Sequence, residues 1–190
     1  EHLGVEITQN IAHCLYVGLL TDTGGFRWGR PVMHALAQEL VNTGLDIRTI
    51  GNQMFDGLSF SDLTMIGKVL SSLEIHQSDC HEIAFAFATH DVIAGHSLHA
   101  VESIADYVRG MKNIDISVVI KEYQPGFAGV SLRSDTIDVS ELAHYLGGGG
   151  HLRAAGFTCS STIAEITANI ISAANKSCPV LYQNQEAPIR

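Results

Sequence analysis

At 190 residues the chain has room for one medium domain, or for a small domain and part of another. Hydrophobic residues make up 46% and charged residues 16%, an ordinary globular composition, and 20 acids against 11 lysines and arginines give a formal net charge of -9. That balance excludes a broad basic face of the kind that grips duplex nucleic acid non-specifically, while leaving room for a local pocket for one or two phosphates.

Taken in order, Thr8 to Leu20 is predicted as a helix. Ile11, Leu15, Gly18 and Leu19 share one face, with Ala12 and Tyr16 beside them, and the stripe of Cys14, Leu15 and Leu19 is expected in the core. Asp22-Thr23-Gly24-Gly25 stops this helix with turn residues. Pro31 suits the first turn of a second helix that runs to Thr43, and Gly44 suits its C-terminal cap. Leu45 to Gly57 reads as short and irregular, with a helical turn at Ile47 to Met54. Ser59 to Leu73 is a further helix, with Leu63, Ile66, Leu70 and Leu73 spaced for burial.

The pattern changes near residue 74. Glu74 to Ser78 and Glu82 to Thr89 are predicted strands, and the run Ile83 to Ala88 suits a strand covered on both faces. Leu98 to Met111 is an amphipathic helix. Ile114 to Tyr123 is a β-branched strand, Pro125-Gly126 a hairpin turn, and Phe127 to Arg133 the returning strand. Asp138 opens a short helix to Leu146, followed by the glycine run, a strand from Ala154 to Ser160, and a last helix from Thr162 to about Lys176. Pro179 to Arg190 reads as a polar, frayed tail. The expected class is α/β: a lobe with a mixed β-sheet and packed helices over 74–178, preceded by a helical linker over 31–73.

No run of 18 apolar residues is present, so no transmembrane helix is expected, and no signal segment opens the chain. Cys14, Cys80, Cys159 and Cys178 form no Cys-x-x-Cys pair. Scattered singly, they are expected as reduced thiols in a cytoplasm.

The stretch Gly147-Gly148-Gly149-Gly150-His151-Leu152-Arg153 stands out. Four consecutive glycines sacrifice backbone entropy and need a reason. Two reasons fit: a cradle of N–H groups for an anion, most naturally a phosphate, or a tight strand–helix connection. His151 could donate to a phosphate oxygen or be tied to a carbonyl, and Arg153 could bind an anion or reach to solvent. Arg133, at a strand end one helix earlier, offers a planar fork for phosphate and could converge on the same pocket. Asp22 sits at an element terminus, as a metal ligand would, or as an ordinary helix-stop aspartate. His90, Asp91, His96 and His99 have spacings that match no recognisable metal site.

Two motifs then resemble a known family. Leu15 to Arg27, containing Thr21-Asp22-Thr23-Gly24-Gly25, is similar to the last metal-site motif of the DHH phosphoesterases. Gly148-Gly149-Gly150-His151 with Ala154-Ala155-Gly156 is similar to the signature of the DHH-associated C-terminal domain, and Val130 to Ser134 resembles the strand before it. The similarity runs over roughly 8–176 and points to the branch that degrades short oligoribonucleotides and dephosphorylates pAp. It implies a two-lobed enzyme with two manganese ions, in which Asp22 is a metal ligand and Arg133, Ser134, Gly148, Gly149, Gly150, His151 and Arg153 hold substrate. It also implies that 1–30 is the end of a catalytic lobe whose Asp-His-His motif is absent from this chain. The expectation is a substrate-binding portion that is inactive alone and works with the missing lobe on short single-stranded oligonucleotides or pAp, homodimerisation being left open. A stand-alone nucleotide-binding module is the alternative.

Overall fold

The described residues, 4–176 of a computed structural model, fall into two units divided between Gly57 and Leu58. The first holds three helices: α1 (Gln9–Asp22), α2 (Val32–Val41) and α3 (Ile47–Phe55). Thr8 caps α1 by accepting from the Ile11 amide, and Asp46 caps α3 by accepting from the amides of Arg48 and Thr49. The helical turn expected at Ile47 to Met54 is thus a full helix of nine residues.

The buried line of α1 is Ala12, Tyr16 and Leu20, packed with Ala37, Leu40 and Ile50. This corrects the predicted face: Cys14 is exposed, Leu15 is 50% exposed and Ile11 39%. Both lines recur at helical spacing, so periodicity alone could not choose between them.

The second unit opens with α4 (Phe60–Leu70), which the sequence placed in the linker. Met65, Ile66 and Val69 of this helix enter the core of the unit. A capping box joins Ser59 and Asp62, and Asp62 also accepts from or shares a proton with His96 Nδ1 at 2.9 Å. That contact, with the Ser59 bonds, draws the Asp62 carboxyl down to about 2.

The sheet follows: β1 (Glu74–Gln77), β2 (Glu82–Ala88), a short α5 (His90–Ile93), α6 (Leu98–Val108), β3 (Ile116–Gln124), β4 (Phe127–Arg133), α7 (Val139–Tyr145), β5 (Gly149–His151), β6 (Ala154–Cys159) and α8 (Ile163–Lys176). The strand order is β1-β2-β3-β4-β6-β5. β2 and β3 are parallel, joined through α5 and α6, and every other pair is antiparallel. The mixed α/β sheet with packed helices is therefore the observed fold.

Alternation along β2 divides the core. Ile83 and Phe85 point to the side of α7 and α8, where they pack with Val118, Leu132, Ile166 and Ile170. Ala86 and Ala88 point to the other side, where α4 and α6 pack with Val119. This second core takes residues from β2 and β3 but none from β4 or β6. The β4–β6 part of that face therefore contributes to a cleft instead.

The glycine run serves several backbone tasks in succession. Gly147, at φ +84°, ends α7: its amide donates to the His144 carbonyl at 3.1 Å, and the Gly148 amide donates to the Ala143 carbonyl at 2.8 Å. This is a Schellman arrangement, which satisfies the helix's last carbonyls. A Cβ on Gly148 would stand 2.1 Å from the Gly156 carbonyl oxygen, and one on Gly156 would stand 2.4 Å from that of Val130.

Cys14 and Cys159 are free, whereas Cys80 is disulfide-bonded, which corrects the expectation of four reduced thiols. Sequence spacing does not reveal cysteines that only the fold brings together. The predicted tail at 179–190 lies outside the described residues. No described helix is long and apolar enough to cross a membrane.

Gly148→Ala is expected to destabilise the second unit by about 3 kcal/mol, since backbone must move to admit the methyl. Gly67→Ala, in the interior of α4 with nothing within 4 Å of the new methyl, is expected to stabilise it by about 0.5–1 kcal/mol. Urea denaturation of both variants checks the pair.

Candidate functional site

Three rows of residues cross the sheet on the face that α6 leaves partly open. Residues directly opposite one another in paired strands point to the same side. One row is Ser117, Arg133, Ala154 and His151; the next is Val119, Ser131, Gly156 and Gly149; the third is Lys121, Gly129 and Thr158. Arg133 and His151, 18 positions apart in sequence, thus share one face, with Ala154 between them.

Arg133 is half-buried, and its Nη1 donates to the Leu132 carbonyl at 3.0 Å. Burial lowers its pKa and Asp106 on α6 opposes that shift, with Arg109 and Glu102 contributing smaller effects of opposite sign. A guanidinium remains charged under such a shift, and most of its five N–H groups are left for a ligand. His151 is exposed at the tip of β5.

The middle of the face holds groups that the motif reading missed. Lys121 is 3% exposed, and its ammonium donates to Glu102 Oε2 at 2.5 Å and to Ser131 Oγ at 2.9 Å. Burial pushes the Lys121 pKa down, and the bond and charge of Glu102 oppose it. For Glu102, burial pushes up, but the bonds from Lys121 and Tyr123 prevail and hold the carboxyl below its usual range. The Tyr123 hydroxyl donates to Glu102 Oε1, and burial together with that carboxylate raises its pKa. A cleft of about 380 Å³ opens here, lined by Glu102, Lys121, Tyr123, Gly129, Gly148 and Thr158 among others. The signal in the sequence was slight: a lysine and a tyrosine fall on one parity of the apolar run Ile116 to Tyr123, the parity that also carries Ser117.

Several expected site residues have structural work instead. The Ser134 oxygen accepts from the amides of Thr136 and Ile137 at 3.1 and 2.8 Å, so its hydroxyl builds the turn after β4. Arg153 Nη1 reaches the Ile137 carbonyl at 3.4 Å, and its charge acts on Asp138, the cap of α7. The amide of Gly148 is taken by the helix stop, while Gly149 and Gly150 pair with β6. The run is therefore not an unbroken row of free amides, since its first two are used and the rest alternate along an edge strand.

Asp22 ends α1 in the first unit, with its side chain exposed. Its carbonyl accepts from Trp28 Nε1 at 2.8 Å, and the Trp28 ring lies where a side chain on Gly24 would be. Among the described residues no group of three or more His, Cys, Asp or Glu comes together to hold a metal ion. Asp22 could give one ligand, but this chain's described residues do not by themselves fit a two-metal centre. The histidines after β2 are occupied separately: His90 Nδ1 meets the Tyr123 carbonyl at 3.0 Å, and His96 meets Asp62.

Residues 86–178 match the DHHA1 domain. Over 162 residues the chain is 33% identical to the bifunctional oligoribonuclease and PAP phosphatase NrnA of Thermus thermophilus, covering 82% of this chain and 47% of that protein. The chain carries a DHHA1 domain. Its DHHA1 domain holds the open face, the cleft and the glycine run described above. It is also 27% identical over 158 residues to the A-adding tRNA nucleotidyltransferase of Geobacter sulfurreducens, covering 82% of this chain and 18% of that protein. An exopolyphosphatase-related protein from Bacteroides fragilis has the same fold, with a TM-score of 0.77 and 27% identity, over 90% of this chain and 51% of that one. The chain spans about half the length of the NrnA protein it matches.

Ser134→Ala is expected to lower stability by about 1–2 kcal/mol, because two turn amides lose their acceptor. His151→Ala, at an exposed tip, is expected to stay within about 0.5 kcal/mol of the parent. Thermal melts of the two variants check the division between turn-building and ligand-facing residues.

Proposed function

We propose that this chain is the substrate-binding portion of a manganese-dependent phosphoesterase that hydrolyses short oligoribonucleotides, pAp, or both. The observation that carries this reading is the row that sets Arg133 and His151 on one open sheet face, with the small Ala154 between them, in a chain similar over most of its length to a protein named as an oligoribonuclease and PAP phosphatase. Arg133 holds a phosphate with its planar fork, and His151 offers a second donor two strands away, across β6. Half-burial strengthens the Arg133 contact by removing competing water. The net charge of -9 favours short ligands, whose few phosphates one cationic spot can hold, over long polymers that need many contacts.

Two manganese ions in the intact enzyme would activate water and stabilise charge at phosphorus. Asp22 would be one of their ligands, and the others would come from outside this chain's described residues. The work assigned to this chain is to bind and orient, fixing the phosphate end of the substrate against a rigid sheet. A reading as a nucleotide-binding module without catalysis draws support from the tRNA nucleotidyltransferase, of which the similar segment is only 18%.

Calorimetric titration of this chain with 5′-phosphorylated diadenylate, without metal, tests the assignment. Binding is expected, weakened at least about tenfold in Arg133→Ala. Equal affinity in the variant would remove Arg133 from the site. With manganese present, the chain alone is expected to leave pAp intact; turnover that disappears in Asp22→Asn would show a working metal centre in this chain.

A further inference from the structure

The sheet has two edges of different character. At one edge lies β5, three residues long and two of them glycine. At the other lies β1, and among the described residues no strand pairs with its outer side. Such an edge offers a row of N–H and C=O groups to another strand, and folds usually blunt it with proline, lysine or a bulge. β1 carries none of these. Its sequence is Glu74-Ile75-His76-Gln77, and its register with β2 is unbroken.

The side chains of β1 divide by alternation. Ile75 is opposite Ala84, Ala84 opposite Ser117, and Ser117 opposite Arg133, so Ile75 lies on the open face. It is 68% exposed, and Leu73, just before the strand, is 37% exposed. Glu74 and His76 lie on the other face, with Glu74 Oε2 and His76 Nε2 3.2 Å apart. Read outward from Ile75, the strand has an acid on one side and a base on the other. Reversed, that pattern is complementary to itself.

We propose that β1 is a self-pairing edge through which two copies of this chain join. The two β1 strands run antiparallel, with Ile75 against the partner's Ile75 and Glu74 against the partner's His76 on both sides of the two-fold axis. That axis stands perpendicular to the sheet, so residues set opposite each other share a face. Moving the axis one residue along the strand sets Glu74 against Glu74 or His76 against His76, and both opposite-charge pairs are lost. The interface is isologous and closes at two copies, because each β1 is then used. Both open faces lie on one side of the joined sheet, and the two β4 strands are about 34 Å apart. A dinucleotide does not reach across that distance, so each copy holds its own ligand. The pairing therefore stands independently of what Arg133 binds.

Sedimentation velocity on the full 190-residue chain over a range of concentrations tests the pairing. A concentration-dependent dimer is expected, with a Kd on the order of 10 μM, since one short strand pair buries little surface. Ile75→Lys, which sets like charges at the axis, and Glu74→Lys, which sets lysine against histidine, are each expected to weaken it at least about tenfold. The double variant Glu74→Lys with His76→Glu recreates opposite pairs and is expected to recover the parent's dimer. Far-ultraviolet dichroism matching the parent's shows that each variant is folded. Hydrogen exchange on the parent gives a readout that needs no variant: β1 amides are expected to slow their exchange as the dimer forms. A parent chain that stays monomeric throughout would overturn the proposal, as would a dimer that Ile75→Lys leaves intact or that the charge reversal does not recover. Complete protection of the β1 amides in the dilute monomer would mean that another part of the chain covers this edge, and would overturn it too.

Discussion

A backbone contact closer than any side chain permits governs the far end of this sheet. Gly148 approaches the Gly156 carbonyl, and Gly156 approaches that of Val130, at separations that leave no room for a Cβ. Three consecutive segments depend on it. The helix α7 must end one residue earlier, in a left-handed glycine, so that the chain can turn into the contact. The strand β5 can then lie on β6, and the hairpin tip carries His151 into the same row as Arg133. A bulky residue at either glycine would shift the register that sets these two side chains in one row. The run is therefore a set of steric permissions that happen to end at a ligand face.

Charge on that face is sorted along the strands. The buried Lys121 is neutralised before any ligand arrives, whereas Arg133 keeps donors available. A buried ion pair is weak evidence for stability but strong at fixing geometry, since breaking one partner leaves the other uncompensated. Here the geometry that is fixed is the position of Tyr123 above the glycine floor. Small residues on β2, Ala86 and Ala88, let α6 come close enough for Glu102 to reach across to β3. The packing choice made in the core of the domain thus determines where its polar groups meet.

Much of this was legible from the residues. The main strands of the mixed sheet, and the helices between them, follow from alternation, capping and turn signals, whereas the strand β5 lay hidden in the glycine run. The face of α1 was misread because Ile11–Leu15 and Ala12–Tyr16–Leu20 are both apolar at helical spacing, and only tertiary packing distinguishes them. Ser134 and Arg153 looked like ligand groups because a side-chain type does not reveal that a neighbouring turn will claim its atoms. Lys121 was passed over for the opposite reason. A lysine in a β-branched strand looks like an edge or exposed position until a carboxylate from a separate helix is seen to cover it. Cys80 shows the same limit for covalent partners.

One detail of the first unit has an optical consequence. The chain has a single tryptophan. Trp28 is seated against Gly24, with its indole nitrogen bonded to the Asp22 carbonyl, and it belongs wholly to the helical unit before Gly57. Indole emission therefore watches the Asp22 turn and is blind to the sheet, whereas far-ultraviolet dichroism is dominated by the larger second unit. The two signals followed together resolve whether the units melt as one body or as two, and the wavelength of emission becomes a local gauge of how the Asp22 carbonyl is held.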